Sequence, residues 1–244
     1  MDVIDAHCTI GNGRYTRLAV SELLRRMDEN GIAKAVVCPV EEHVTVYNRE
    51  GNDYILKVVN AHPDRLMGFA TVNPWYGDPA VEELRRAIGK GLCGLYLNTA
   101  LQGYFINDEL VYSVIETAKE LGIPVYFHTP TPIFALPLQL GDLACEFPEV
   151  PMIMGHAAAG DFWLDAVPTI RMADNIYVET SVRAGSAVLR SMIDEVGAGR
   201  LMFGSDVPHS TYSVEKVKID FLKLSPPEEE MVMRGTLLEV LGEV

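Results

Sequence analysis

Short apolar runs alternate with helix-length amphipathic segments along the whole chain. The runs are apolar at consecutive positions, which is typical of buried parallel strands covered by helices. Eight β/α repeats in 244 residues predict an α/β fold, a (β/α)8 TIM barrel, with residues 1–244 as one domain. The predicted strands are VIDAHC, AKAVVCPV, LMGFATVN, CGLYLN, IPVYFH, VPMIMG, NIYVETS and RLMFGS.

An open, doubly wound sheet is the alternative arrangement for the same elements. Its usual signature is a G-x-G-x-x-G turn after the first strand. Gly11 and Gly13 fit the first two positions, but Thr16 stands at the third. The barrel is therefore the favoured interpretation.

The charge balance restricts the partners of the chain. The formal net charge is -14 and there is no run rich in Lys or Arg, so binding to nucleic acid is not expected. No apolar run approaches the length of a membrane span, and the four cysteines show no C-x-x-C spacing. We expect a soluble, cytoplasmic protein with reduced cysteines and a small-molecule substrate, which does not bind membranes.

Four chemically capable side chains stand at predicted strand ends. His7 lies near the end of the first strand, and the fifth, sixth and eighth strands end at His128, His156 and Asp206. In barrels the carboxyl ends of the strands share one rim, which carries the function. Each residue alone is more often structural, but their coincidence on one rim indicates an active site.

Five segments, in this order, resemble the amidohydrolase-related family that includes aminocarboxymuconate-semialdehyde decarboxylase: IDAHCTI, RLMGFATVNP, VYFHTP, IMGHAAAG and RLMFGSDVPHS. The resemblance implies a metal-dependent hydrolase or lyase, such as a decarboxylase or hydratase. Its substrate would be a small carboxylated compound, an ester or a lactone. The reaction would proceed through a metal-activated water. The implied cofactor is one divalent ion, zinc with manganese as the alternative.

The resemblance also assigns roles to individual residues. His7, His128 and Asp206 match metal ligands, and Asp206 and His156 match the residues that transfer protons. Thr9 stands where relatives carry the second histidine of the His-x-His motif. Alternate strand residues face the same way, so Asp5, His7 and Thr9 are expected to share one side.

The replacement of one imidazole by Thr9 leaves three hypotheses open. Three protein ligands suffice for a catalytic zinc, so the site could persist with weaker metal binding. A metal-free, lactonase-like hydrolase is the second reading, with Asp206 activating water directly. A non-catalytic barrel that serves as a binding subunit is the third. Tyr96 occupies the place of the lysine that bridges two metals in wider relatives, which is evidence against a two-metal centre.

Substrate contacts are expected from residues that follow strands on the same rim. Arg14 and Arg183 are candidates to clamp a carboxylate. Asn73 ends the third strand, and His209 follows Asp206 by three positions. Related barrels often pair, so a homodimer is the expected assembly.

Overall fold

The computed structural model describes residues 2–129, 131, 133–159, 162–182 and 185–243. Within these ranges eight strands run parallel, each hydrogen-bonded to the next in chain order. We label them β1 to β8: Val3–Asn12, Ile32–Pro39, Leu66–Ala70, Gly94–Leu97, Val125–Phe127, Met152–Met154, Ile176–Glu179 and Leu201–Met202. Each predicted apolar run overlaps one of them, so the α/β prediction is confirmed. A short strand, Arg17–Leu18, pairs antiparallel with the end of β1.

Helices follow the strands and cover the outside of the sheet. The α-helices of the described residues are α1 Val20–Asn30, α2 Glu41–Thr45, α3 Asn48–Ala61, α4 Asp78–Gly89, α5 Thr99–Gln102, α6 Tyr112–Leu121, α7 Pro137–Glu146, α8 Ala166–Met172, α9 Ser186–Val196, α10 Tyr212–Asp220, α11 Pro226–Glu230 and α12 Thr236–Leu241. Helix α6 stops at Gly122 (φ 64°), the predicted end. Among the described residues, no helix has the length and apolar character that a bilayer crossing requires.

The buried apolar residues form two clusters, one on the outer side of the barrel wall and one inside the barrel. The larger cluster joins the outer faces of the strands to the helices. The smaller one fills the interior, and helix α12 contributes Leu237 and Val240 to it. The interior is therefore a packed core, as in other closed parallel barrels.

An irregularity in β1 turns His7 towards the interior. Ala6 belongs to the inner cluster and Cys8 to the outer one. The register against β2 shifts between Asp5 and Cys8, as at a β-bulge. Even-numbered side chains therefore face the interior before the shift, and odd-numbered side chains face it afterwards. His7 and Thr9 line a cavity inside the barrel, as expected. Asp5 departs from the expected shared side because it lies before this shift.

The barrel closes between β1 and the residues that follow β8. Three backbone hydrogen bonds make this seam: Ala6 N to Phe203 O (2.9 Å), Thr9 N to Val207 O (2.9 Å) and Asp206 N to His7 O (3.0 Å). The sheet is therefore a closed barrel, and the doubly wound alternative does not apply. The prediction that residues 1–244 form one domain stays a prediction.

A buried carboxylate reinforces the seam. Asp5, which is 0% exposed, accepts hydrogen bonds from Ser205 N (2.8 Å) and Ser205 Oγ (2.6 Å). It also accepts one from His7 N (3.1 Å). A buried carboxylate needs such donors, because losing its hydration is otherwise unfavourable. Asp5 thus ties the first strand to the end of the last one.

The Ser205→Ala substitution tests this contact. Removing the hydroxyl leaves one oxygen of Asp5 without its donor, which should lower the free energy of unfolding by about 1–3 kcal/mol. Urea denaturation measures the change. Ser113→Ala, on the exposed side of α6, is the control and should change the stability by less than about 0.5 kcal/mol. Equal stability of the two variants would contradict the seam contact.

Candidate active site

His7 lies at the centre of the candidate site. Its ring stacks on Tyr126 (centroids 4.6 Å apart) and on Tyr96 (5.3 Å). Its Nε2 is 3.5 Å from Asp206 Oδ1, and its Nδ1 is 3.6 Å from Cys38 Sγ. The ring is 1% exposed, so its two nitrogens face protein groups and not bulk water.

Three of the predicted residues form a group that could hold a metal ion. His7, His156 and Asp206 each offer one ligand atom, and these atoms all lie within 4.8 Å of one another. Strand β1 continues to Asn12, so His7 lies in its middle and not at its end as predicted, whereas His156 and Asp206 follow the carboxyl ends of β6 and β8. His156 and Asp206 have left-handed backbones (φ 57° and 52°). Such backbones are strained in non-glycine residues and are concentrated at functional sites.

His128 lies immediately beside this group. It follows β5, and its ring meets the edge of the His156 ring with the centroids 4.4 Å apart. Its Nδ1 is buried and has no hydrogen-bond partner among the described residues. The structure thus places His156 within the group of ligand atoms and His128 next to it. The assignment of His128 as a ligand stays a prediction.

Burial and charge give these groups different protonation states in the metal-free protein. Burial alone would lower the pKa of His7, but hydrogen bonds to Asp206 and Cys38 hold it well above 6.5. Burial opposes ionisation of Asp206, but His7, His156 and His128 outweigh it and lower the pKa to about 2. Burial lowers the pKa of His156 to about 4. Near neutrality the site therefore holds a positive His7, a negative Asp206 and a neutral His156.

A small cavity opens beside these groups. His7, Thr9, His128 and Asp206 lie among its lining residues, and its volume is about 60 Å³. This corresponds to roughly two water molecules at about 30 Å³ each. The cavity therefore has room for an ion with water beside it.

The mouth of the cavity contains residues that sequence reasoning missed. Thr16 donates a hydrogen bond to Glu41 Oε1, and its hydroxyl lies 3.1 Å from His209 Nε2. All three line the cavity. Glu41 follows the end of β2, so the strand-end argument could have found it. His209 lines the cavity, as a residue that contacts the substrate must. Its role in binding stays a prediction.

Two other predicted substrate contacts, Arg14 and Asn73, lie outside the cavity. Arg14 is exposed, and its guanidinium carbon lies 5.5 Å from the centre of the Tyr15 ring. Asn73 accepts a hydrogen bond from Trp75 N (3.2 Å) and donates one to Thr45 O (2.7 Å). The Asn73 amide thus ties the turn after β3 to the end of α2, and Asn73 does not line the cavity. Arg183 lies outside the described residues.

Comparison with known proteins places the chain in a family. The family described as Amidohydrolase matches residues 11–242. The chain belongs to this family. The resemblance seen in the sequence is confirmed, and so is the enzyme class, an amidohydrolase-related hydrolase or carbon–carbon lyase. The chain is 24% identical to gamma-resorcylate decarboxylase of Rhodococcus jostii, in a match that covers 76% of each chain.

Solved structures show the same fold. A 2,6-dihydroxybenzoate decarboxylase in complex with 2,6-dihydroxybenzoate superposes with a TM-score of 0.82, at 16% identity, covering 99% of this chain and 98% of the other. A dihydroxybenzoic acid decarboxylase from Polaromonas sp. JS666 has a TM-score of 0.80 at 17% identity, covering 99% and 97%. That structure contains manganese and the inhibitor 2-nitroresorcinol. The TIM-barrel prediction is confirmed.

Binding of a divalent ion should release a proton from His7. His7 must lose its proton to become a ligand, so the affinity for Mn²⁺ should rise about tenfold per pH unit until the pKa of His7 is reached. His156 and Asp206 contribute little above pH 5, because the pKa of each is already lower. Calorimetric titration in buffers of different ionisation enthalpy counts the released protons.

Cys38→Ala provides the matched variant for this titration. It removes one contact that holds the pKa of His7 high and removes none of the three grouped ligand atoms. The pH at which the affinity levels off should therefore move down. An affinity for Mn²⁺ that does not change between about pH 6.5, the ordinary histidine pKa, and about pH 8 would contradict the prediction.

Proposed function

We propose that this chain is a divalent-metal-dependent decarboxylase that acts on a small aromatic carboxylate. The observation that carries the proposal is the convergence of His7, His156 and Asp206 ligand atoms within 4.8 Å, beside a cavity at the carboxyl rim of the barrel. The similarity to gamma-resorcylate decarboxylase supports the reaction class. The presence of manganese in a related decarboxylase structure supports the choice of cofactor.

The donor set fits a divalent ion. Two imidazoles and a carboxylate are ligands for zinc or manganese, and His128 and His156 each have a buried ring nitrogen without a hydrogen-bond partner among the described residues. A bound ion would supply Lewis-acid polarisation of a substrate oxygen. Thr9 contributes a hydroxyl in place of a further imidazole, so we expect the ion to be held weakly. Zinc and manganese remain alternatives.

Decarboxylation requires a proton for the carbon that loses the carboxylate. The bond between this carbon and the carboxyl carbon breaks, its electrons return to the ring carbon, and carbon dioxide leaves. In this step His128, which lies beside the group, would complete the ligands of the ion with His7 and Asp206. His156, charged by a proton taken up from solvent, can then donate that proton from Nε2 to the ring carbon. Because burial lowers the pKa of His156 to about 4, its protonated form is a strong acid, as protonation of carbon demands. Asp206 stays ionised and stabilises the positive charge.

An activity assay tests the proposal. Protein purified without chelator and supplied with Mn²⁺ or Zn²⁺ should release carbon dioxide from 2,6-dihydroxybenzoate or a close analogue. His156→Asn should lower kcat by a factor of roughly 10²–10⁴, because a proton donor is lost. His62→Asn is the control, since His62 precedes β3 at the opposite end of the barrel, and it should leave kcat unchanged.

Two results would contradict the proposal in different ways. Lactone hydrolysis that persists after chelation would support the metal-free hydrolase instead. Absence of turnover across aromatic acids and lactones, with and without metal, would support the binding subunit. The expectations of a homodimer, of a cytoplasmic location and of no nucleic-acid partner stay predictions.

A further inference from the structure

A buried carboxylate that the proposed chemistry does not use lies behind His156. Glu179 ends β7 and is 0% exposed. Its Oε2 accepts hydrogen bonds from Tyr126 Oη (2.8 Å), Ser181 Oγ (2.9 Å) and His156 N (3.1 Å). Several donors therefore converge on one carboxylate oxygen, and they fix the position of Glu179 relative to His156.

Two glycines leave the space that this arrangement occupies. A Cβ atom at Gly204 would lie 2.0 Å from Glu179 Oε1, and one at Gly155 would lie 2.5 Å from Tyr126 Oη. Neither position accepts a side chain without displacing the carboxylate or its phenol donor. The backbone around Glu179 is thus shaped to hold it in this place.

The hydrogen-bond distances determine which nitrogen of His156 carries the proton. Ser181 Oγ is 2.7 Å from His156 Nδ1 and 2.9 Å from Glu179 Oε2. A carboxylate can only accept, so the single hydroxyl hydrogen of Ser181 points to Glu179. The serine oxygen must then accept from His156, which places a hydrogen on Nδ1. In the neutral ring Nε2 is left with its lone pair.

We propose that Glu179, acting through Ser181, holds His156 in the tautomer with hydrogen on Nδ1. The Nε2 lone pair then faces His7 and Asp206, where it can bind an ion or exchange a proton with a substrate. Glu179 and Ser181 are positioning residues, because they act through the imidazole and do not touch the reacting atoms. This inference rests on the proposed function only in giving His156 a role.

Nitrogen-15 NMR of the metal-free protein tests the tautomer directly. Long-range proton–nitrogen correlations at pH 7 should show a protonated Nδ1 and an unprotonated Nε2 for His156, assigned by their loss in His156→Asn. Ser181→Ala should shift the equilibrium towards the other tautomer, and Ser181→Thr, which restores a hydroxyl, should recover the wild-type pattern. Tyr126→Phe is the matched control, since it removes a different donor to Glu179 and should leave the tautomer unchanged.

Kinetics distinguish positioning from simple packing. If the chain is a decarboxylase, Ser181→Ala should lower kcat by roughly 10- to 100-fold, as is common for groups that orient a catalytic side chain. KM should change less than kcat, because the hydroxyl does not contact the substrate. Ser181→Thr should restore kcat together with the tautomer.

The outcomes separate this inference from the proposed function. A wild-type spectrum with hydrogen on Nε2 would overturn the inference whatever the activity. A tautomer that does not respond to Ser181→Ala would overturn it as well. The expected tautomers without any turnover would leave the inference intact and would refute only the decarboxylase.

Discussion

The hydrogen bonds between Asp5 and Ser205 are the contact on which the candidate site depends. They hold β1 against the segment that follows β8. In that position the backbone N–H of Asp206 donates to the carbonyl of His7, so an imidazole and a carboxylate from opposite ends of the chain become neighbours. The geometry of the seam thus sets the distance that an ion would have to bridge. A looser seam would separate these ligands without altering either one.

The charges at the centre complement one another before any ion arrives. His7 is positive and Asp206 is negative, and the rings of Tyr96 and Tyr126 keep water away from the imidazole. Coulombic attraction is stronger where water is excluded. A divalent ion would replace the proton of His7 as the positive partner of Asp206. The negative charge of Asp206 is therefore balanced both with and without the ion. The site can thus remain folded while a weakly held metal is absent.

The sequence predicts the scaffold and the rim better than it predicts contacts. Apolar runs locate the strands, and their ends bring His156 and Asp206 to one rim, because parallel strands align their carboxyl ends. The same argument fails for Asn73, whose amide is used within the loops that follow β2 and β3. The link from Glu179 to His156 was not predictable, since it joins residues 23 positions apart and depends on side-chain rotamers and on the space that glycines leave. Strand periodicity contains no information on either.

The seam also determines when the barrel can close during synthesis. Asp5 and Ser205 are 200 residues apart, whereas each of the other strand pairings joins consecutive strands. The first strand is synthesised before the residues that close the barrel, so its second neighbour exists only after 200 further residues. Until then its edge exposes unpaired amide and carbonyl groups, which can pair with other nascent chains. Closure of the barrel is therefore the strand pairing with the largest sequence separation, and the one that costs the most loop-closure entropy.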